Sequence, residues 1–370
     1  MSYEIDFLGL NEKTDDADAI ALRWRNGDSF IVGVVDGGFA KHGDAMVDHL
    51  NKYYFDEILY DEDKIVDFVV CSHPDQDHAS GLKKILENFQ VKALYMNRSW
   101  EHIDALYDKV SDGRITKKSL KEHLKNTYKY VAEIEEIAIE KNIPIYDVFE
   151  GCWIEGKIEV LSPSREFYLN MIVEDNRTPL SEDNNLNVVN AVQYILEKAQ
   201  KLINWISEAW DTENLREDET TTPINETSTV LLGHMDEEIF LLTGDAGIRG
   251  LNNAMDYAEN NGVEIKKDVK IYQIPHHGGR HNVSTTLLDR MLGEKVKQGT
   301  TSNKFAYVMA GKDSDHPKKV VTNAYIRRGL KIYEAKGKTI HHHMGDMPDR
   351  NGWSSATATE FSDKVEAWDD

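Results

Sequence analysis

The chain has 370 residues, 40% of them apolar and 29% charged, which is enough to build a sizeable core and counts against wholesale disorder. Sixty-five acidic residues against 43 basic ones give a formal net charge of −22. That excess counts against a protein that coats DNA, RNA or an anionic membrane through its overall field, though not against a local basic site. Cys71 and Cys152 are too few for a disulfide scaffold or a cysteine-rich zinc module, and they fit a reducing compartment. No run approaches the roughly 18 apolar residues of a membrane span. The opening residues alternate apolar and charged side chains, unlike a secretory signal. A cytoplasmic globular protein with no membrane partner is expected.

Short apolar or alternating runs predict strands at 5–10, 19–25 and 30–35, with a hairpin turn at Asn26-Gly27-Asp28. Asp36-Gly37-Gly38 ends the third strand. A helix is predicted at 43–59, a buried strand at 65–71, a helix at 79–88 and a strand at 91–95. Apolar periodicity then predicts one long helix over 112–141 and another over 186–210, with a strand at 157–161 between them. The acidic, Thr-rich stretch 211–228 reads as a mobile loop. Strands follow at 229–232, 238–243, 269–274, 305–310 and 332–335, and helices at 251–261, 284–295 and 318–329. The pattern is two β-rich, helix-flanked halves of a single domain over 1–370, with helical insertions at 98–150 and 166–224.

The most informative stretch is Cys71-Ser72-His73-Pro74-Asp75-Gln76-Asp77-His78-Ala79-Ser80-Gly81-Leu82. His73, Asp75, Asp77 and His78 lie between a buried strand and a helix, where α/β proteins place functional groups on a rigid base. Four ligand-type residues within six positions exceed what helix capping requires. Imidazole with carboxylate suits zinc, manganese or iron rather than calcium. Thr243-Gly244-Asp245 and Pro275-His276-His277-Gly278 add Asp and His at two further strand ends.

His-x-Asp-x-Asp-His with Gly-Leu, then Thr-Gly-Asp, then Pro-His-His-Gly resembles the metallo-β-lactamase superfamily. The likeness is greatest to the branch containing the hydrolase domain of bacterial DNA-uptake (competence) channels. Ala17-Asp18-Ala19-Ile20, Asp36-Gly37-Gly38, Leu161-Ser162-Pro163, Asn225-Glu226-Thr227-Ser228 and His316-Pro317 follow that branch in order. The resemblance covers about 1–97, 155–165 and 225–345. It implies an α/β fold, an αββα sandwich, with two divalent metal ions (Zn or Mn) at one edge. His73 and Asp75 would hold the first ion; Asp77, His78 and His277 the second; Asp245 would bridge. His276 would sit beside the ions and touch substrate, and which of His276 and His277 ligates stays open. Many members carry His where this chain has Asp75. No separate histidine stands before Asp245 for the family's usual third motif; the nearby His234 belongs to a predicted turn at the far end of its strand. The first site is therefore expected to be oxygen-rich, favouring manganese.

Two such ions share a water and lower its pKa, and the bridging hydroxide attacks phosphorus or a carbonyl carbon. Asp77 would orient it, and His316 or His276 would protonate the leaving oxygen. Arg114, Lys118, Lys121, Lys125 and Lys129 share one helical stripe, which reads as a phosphate-binding path or as a solvated face offset by Glu133, Glu135 and Glu136. His281 would line the cleft. His341-His342-His343 reads as a strand end or as an added ligand. Cys71 reads as core, and Asp18 and Asp36 as turn-shaping residues. The 186–210 helix would pack on its own domain, or serve as a lid or as a contact to a protein partner or a second copy.

The expected function is a dinuclear metal-dependent hydrolase, a phosphodiesterase or nuclease acting on a small phosphorylated or single-stranded nucleic-acid substrate. The alternatives are a hydrolase of a phosphorylated small molecule, thioester or lactone, and a non-catalytic metal-stabilised protein-interaction module.

Overall fold

The computed structural model describes residues 2–10, 13–56, 64–109, 115–179 and 204–368. Two seven-stranded sheets dominate it. The first runs, in spatial order, Ile340–Met344, Tyr3–Phe7, Ala19–Asn26, Ser29–Gly37, Phe68–Val70, Leu94–Tyr95 and Ile145–Tyr146. The second runs Lys331–Lys336, Phe305–Ala310, Val269–Gln273, Glu238–Leu242, Val230–Met235, Ile158–Ser162 and Trp153–Ile154. Each mixes antiparallel hairpins with parallel crossovers. Ile5 lies opposite Leu22 in an antiparallel pair, whereas Val34 lies beside Val69 in a parallel one.

Strand alternation explains the layering. Tyr3, Ile5 and Phe7 face the second sheet, and their neighbours Glu4 and Asp6 face the other way. The inter-sheet core joins Ile5, Phe7, Leu22 and Phe68 to Val160, Phe240, Ile271 and Tyr307; Phe7 stacks on Tyr307 with centroids 4.5 Å apart. Outside the first sheet, Met46, Leu50, Leu82, Ile85, Leu120 and Ile134 form a second core. Outside the other sheet, Leu251, Met255, Leu288, Val320 and Tyr325 form a third. Each fully buried Leu or Phe contributes about 1.5–3 kcal/mol, so the three layers together fix an αββα sandwich, as expected.

Several predicted elements differ. The 112–141 helix is two, Lys117–Thr127 and Lys129–Glu140. Tyr128 leaves helical geometry between them (φ −104°, ψ 50°) and donates its hydroxyl to Asp175 at 2.8 Å. Helical periodicity cannot show that break, because Leu124 and Val131 face the same core on both sides of it. Most of the predicted 186–210 helix lies outside the described residues; its end is instead a strand, Trp205–Ser207, paired with Lys364–Glu366. The acidic 211–228 stretch contains a short helix, Pro223–Glu226, and is tied down at its start. Glu213 pairs with Arg328 at 3.0 Å, and just before the stretch buried Glu208 pairs with Arg327 at 3.1 Å. The 43–59 helix ends at Tyr53. His341–His343 lie within a strand beside Tyr3–Phe7. Among the described residues no helix is long and apolar enough to cross a membrane.

Candidate metal centre

Three strand ends converge at one edge of the sandwich. After Phe68–Val70 the chain passes through His73, and Asp75 stands at the N-cap of a one-turn helix, Gln76–Ala79, that carries Asp77 and His78. The next helix packs so closely on the Asp36-Gly37-Gly38 turn that a Cβ at Gly81 would lie 1.9 Å from the Gly37 carbonyl oxygen. Glycine at both places is what lets this loop seat. Asp245 follows Glu238–Leu242, and His276 and His277 follow Val269–Gln273. Asp36, His276 and His277 all hold positive φ (57°, 48° and 55°). Such a backbone costs about 1–3 kcal/mol per non-glycine residue and persists where packing over-determines it.

Four histidines are anchored through Nδ1. His78 Nδ1 donates to Asp36 Oδ2 at 2.8 Å. His277 Nδ1 faces the Met309 carbonyl and Asp18 Oδ1, both at 3.1 Å. Ser72 Oγ gives its proton to Asp36 at 2.6 Å, so it accepts from His73 Nδ1 at 3.1 Å. Asn282 Nδ2 donates to the Asp245 carbonyl at 2.9 Å, which turns Asn282 Oδ1 toward His276 Nδ1, also at 2.9 Å. Asn225 Nδ2 lies farther from that ring nitrogen, at 3.3 Å, and the shorter contact decides the tautomer. In every case Nε2 is turned into the cluster. This is the arrangement in which an outer hydrogen bond orients a metal-ligating imidazole.

Asp77, His78, Asp245 and His277 each bring one donor atom to a group in which all lie within 4.8 Å of one another. His78 Nε2 is 3.1 Å from Asp245 Oδ1, and His277 Nε2 is 3.4 Å from Asp77 Oδ2. The other Asp245 oxygen faces His73 Nε2 at 3.8 Å and His276 Nε2 at 3.6 Å, and His73 Nε2 faces Asp75 Oδ2 at 3.9 Å. The Nε2 atoms of His73, His78 and His277 and Oδ1 of Asp245 are buried and lack hydrogen-bond partners. Each such orphan costs about 1–3 kcal/mol, and bound divalent cations would satisfy them, so the residues present fit metal.

The electrostatics agree. Burial alone would lower the proton affinity of His78 and His277, but carboxylates outweigh it and hold both well above the ordinary imidazole value: Asp245 and Asp36 for His78, Asp18 and Asp245 for His277. Burial works to raise Asp245, yet His78, His276 and His277 hold its carboxylate well below the usual range. A proton or a metal is thus called for at the same Nε2 atoms. For His73, burial and neighbouring His78 lower the value.

The structure brings His73, Asp75, Asp77, His78, Asp245, His276 and His277 together. His316 lies at the rim, its ring 6.5 Å from that of His276, with Nδ1 on Asp16 at 2.8 Å. His281 turns away to Glu219 at 2.5 Å and meets Trp368 edge-on. Lys121 pairs with Glu101 at 3.0 Å, Lys125 with Glu135 at 2.5 Å, and exposed Lys118 is 3.9 Å from Glu122; Arg114 lies outside the described residues. His234 stacks on Trp153, with its ring nitrogen 3.6 Å from Glu159, and is not among the clustered donors. Asp36 and Asp18 do more than shape turns, since their carboxylates anchor His78 and His277. Arg177 carried no sequence signal. It grips Asp175 through Nε and reaches Asp75 Oδ1 with Nη1 at 3.2 Å.

This chain belongs to the metallo-beta-lactamase superfamily, whose family model matches residues 22–296. Members of that superfamily are largely metal-dependent hydrolases, and the buried His/Asp cluster stands at the strand ends just described. Among solved structures, the chain is similar to Tm1679, a metal-dependent hydrolase of the beta-lactamase superfamily (13% identity, 93% of this chain and 100% of that one, TM-score 0.44). It is also similar to the metallo-beta-lactamase fold protein YhfI from Bacillus subtilis (8% identity, 93% and 100%, TM-score 0.41). No curated protein matches the sequence.

Proposed function

We propose that this protein is a dinuclear metal-dependent phosphodiesterase or nuclease, acting on a small or single-stranded substrate. The observation that carries the reading is the set of seven donor residues that includes Asp245, whose Oδ1 faces His78 and whose Oδ2 faces His73 and His276. Four imidazoles and three carboxylates are more donors than one four-coordinate ion takes. Bound divalent ions supply Lewis acidity and an activated water near neutral pH.

The chain's own residues do the rest. Asp77, one-quarter exposed, is the donor in the tighter group best placed to orient the attacking water. Arg177, 43% exposed, sets a permanent cation beside Asp75 and suits an anionic phosphodiester. His316, its ring 6.5 Å from that of His276, is the residue proposed to protonate the leaving oxygen. Burial lowers its proton affinity despite Asp16, so at neutral pH it rests as a neutral imidazole and relays a proton only after taking one from water. The order of motifs shared with the competence-channel branch supports the phosphodiester class. The paired state of Lys121 and Lys125 supports a short substrate over a long one tracked along that helix.

The test is hydrolysis of bis(p-nitrophenyl) phosphate with added manganese or zinc, comparing the native chain with Asp77→Ala. Metal-dependent turnover that disappears in the variant is expected. Folded, metal-loaded protein that turns over carboxylic esters or thioesters but no phosphodiester would overturn the reading.

A further inference from the structure

The family's third-motif histidine is missing here, and His234, the nearest in sequence, packs on Trp153 and Glu159 instead. On the motif reading this leaves the site around His73 with one imidazole and two carboxylates. The geometry points to a replacement: we propose that His276 is the missing ligand. The two adjacent histidines then serve different metal ions, His277 the one held with Asp77 and His78, and His276 the one held with His73 and Asp75. This rests on the dinuclear reading above and deepens it.

Three observations support it independently of the motif. The first is the tautomer. Asn282 fixes His276 with Nδ1 as donor, so the ring offers Nε2. Asn282 is fully buried and its amide is oriented by the Asp245 and Ala246 carbonyls, so this anchor is rigid. The second is direction. His276 Nε2 lies 3.6 Å from Asp245 Oδ2, the oxygen that His73 approaches at 3.8 Å, and not the oxygen that His78 approaches. Two ligands of one tetrahedral ion at bond lengths of 2.0–2.1 Å stand about 3.3–3.4 Å apart, so both contacts are close to what a shared ion requires. The third is the backbone. His276 and His277 are consecutive left-handed residues (φ 48° and 55°), and their rings sit at 67° to one another with centroids 5.7 Å apart. A regular strand would send neighbouring side chains to opposite faces. This strained pair instead turns His276 Nε2 to Asp245 Oδ2 at 3.6 Å and His277 Nε2 to Asp77 Oδ2 at 3.4 Å, so the adjacent rings serve different donor groups.

The ligand chemistry changes with this assignment. The His73 site becomes His73, His276, Asp75 and Asp245, two nitrogens and two carboxylates, matching His78, His277, Asp77 and Asp245. It is no longer the oxygen-rich site expected from the motif, and zinc is not disfavoured there. It is the looser of the two: its donor pairs lie at 3.6–3.9 Å against 3.1, 3.4 and 3.9 Å in its neighbour, and Arg177 already occupies one oxygen of Asp75.

The experiment counts metal on the protein without using turnover. The native chain, His276→Ala, His276→Asp and His277→Ala are loaded with zinc or cobalt, dialysed, and measured by elemental analysis and calorimetric titration. Two equivalents of unequal affinity are expected for the native chain. His276→Ala should lose the weaker equivalent and keep the tighter one within about threefold. His276→Asp tolerates the left-handed backbone and restores an oxygen donor, so it should recover the second equivalent at reduced affinity. His277→Ala should lose the tighter equivalent. The proposal fails if His276→Ala still binds two ions with native affinities, if the native chain binds only one, or if His276→Asp, folded by circular dichroism, behaves like the alanine variant. Protein that binds two ions as described yet hydrolyses nothing would sink the phosphodiesterase reading and leave this assignment standing.

Discussion

Asp36 accepts a 2.8 Å hydrogen bond from His78 Nδ1 across 42 residues of sequence, and with its two oxygens also holds Ser72 through the backbone N–H and the hydroxyl. One carboxylate thereby fixes the tautomer of His78 directly and that of His73 through Ser72. Replacing it with Asn removes the negative charge and one acceptor oxygen. Asp36→Asn is expected to weaken metal binding about 10- to 100-fold while the fold persists. Calorimetric titration beside a circular dichroism spectrum checks it; unchanged affinity would show that the histidines are held by packing alone.

The sequence carried the candidate donors but not what holds them. His73, Asp75, Asp77 and His78 were legible because four ligand-type residues crowd one loop, and the alternating strands placed that loop at a sheet edge. Asp18 and Asp36 read as turn formers because each precedes or ends a strand, and nothing local shows that their carboxylates reach His277 and His78. Arg177 was invisible for the same reason: its partner Asp75 is 102 residues away. The break at Tyr128 and the strand at Trp205–Ser207 were missed because tertiary partners, Asp175 and Lys364–Glu366, decide them over local propensity.

The seat of the ligand loop depends on Gly81. A methyl group there would meet the Gly37 carbonyl carbon at 2.7 Å and its oxygen at 1.9 Å, and backbone cannot yield as a flexible side chain does. Gly81→Ala is expected to cost about 1–3 kcal/mol in urea unfolding and to reduce metal affinity together with stability. A variant of native stability and affinity would mean that the Asp36-Gly37-Gly38 turn moves freely.

Arg177 makes a prediction that separates charge from shape. If it complements an anionic substrate, Arg177→Ala should raise KM for bis(p-nitrophenyl) phosphate about tenfold or more, with kcat changed less. A neutral ester hydrolysed by the same protein should show no comparable rise. Equal losses on both substrates would place Arg177's role in holding Asp75 rather than in meeting the phosphodiester.

Far from the cluster in sequence, Glu4 and Asp6 leave the inter-sheet core and carry two buried charges into the layer beneath the helix Gly43–Tyr53. Arg23 meets Glu4 at 2.8 Å, and Arg350 spans both carboxylates at 2.8 Å each. His49, His341 and the Tyr54 hydroxyl complete the shell of Asp6 at 2.7, 2.8 and 3.0 Å. Burial works to raise the Asp6 value, but hydrogen bonds from His341 and His49 and the charges of His49 and Arg350 outweigh it and hold the carboxylate below its usual range. A depressed folded-state value stabilises the protein above the unfolded carboxylate's value of about 3.9 and is lost as pH falls below it. The stability gap between the native chain and Asp6→Asn should therefore be widest near neutral pH and shrink as pH falls through about 4, measured by urea unfolding across that range. Arg350→Ala strands two buried carboxylates with Arg23 as their remaining guanidinium, and should cost about 3–5 kcal/mol at neutral pH. A gap that stays constant from neutral pH to acid would mean that Asp6 is as easily protonated folded as unfolded, and the network would then be held by its hydrogen bonds and packing, not by its charge.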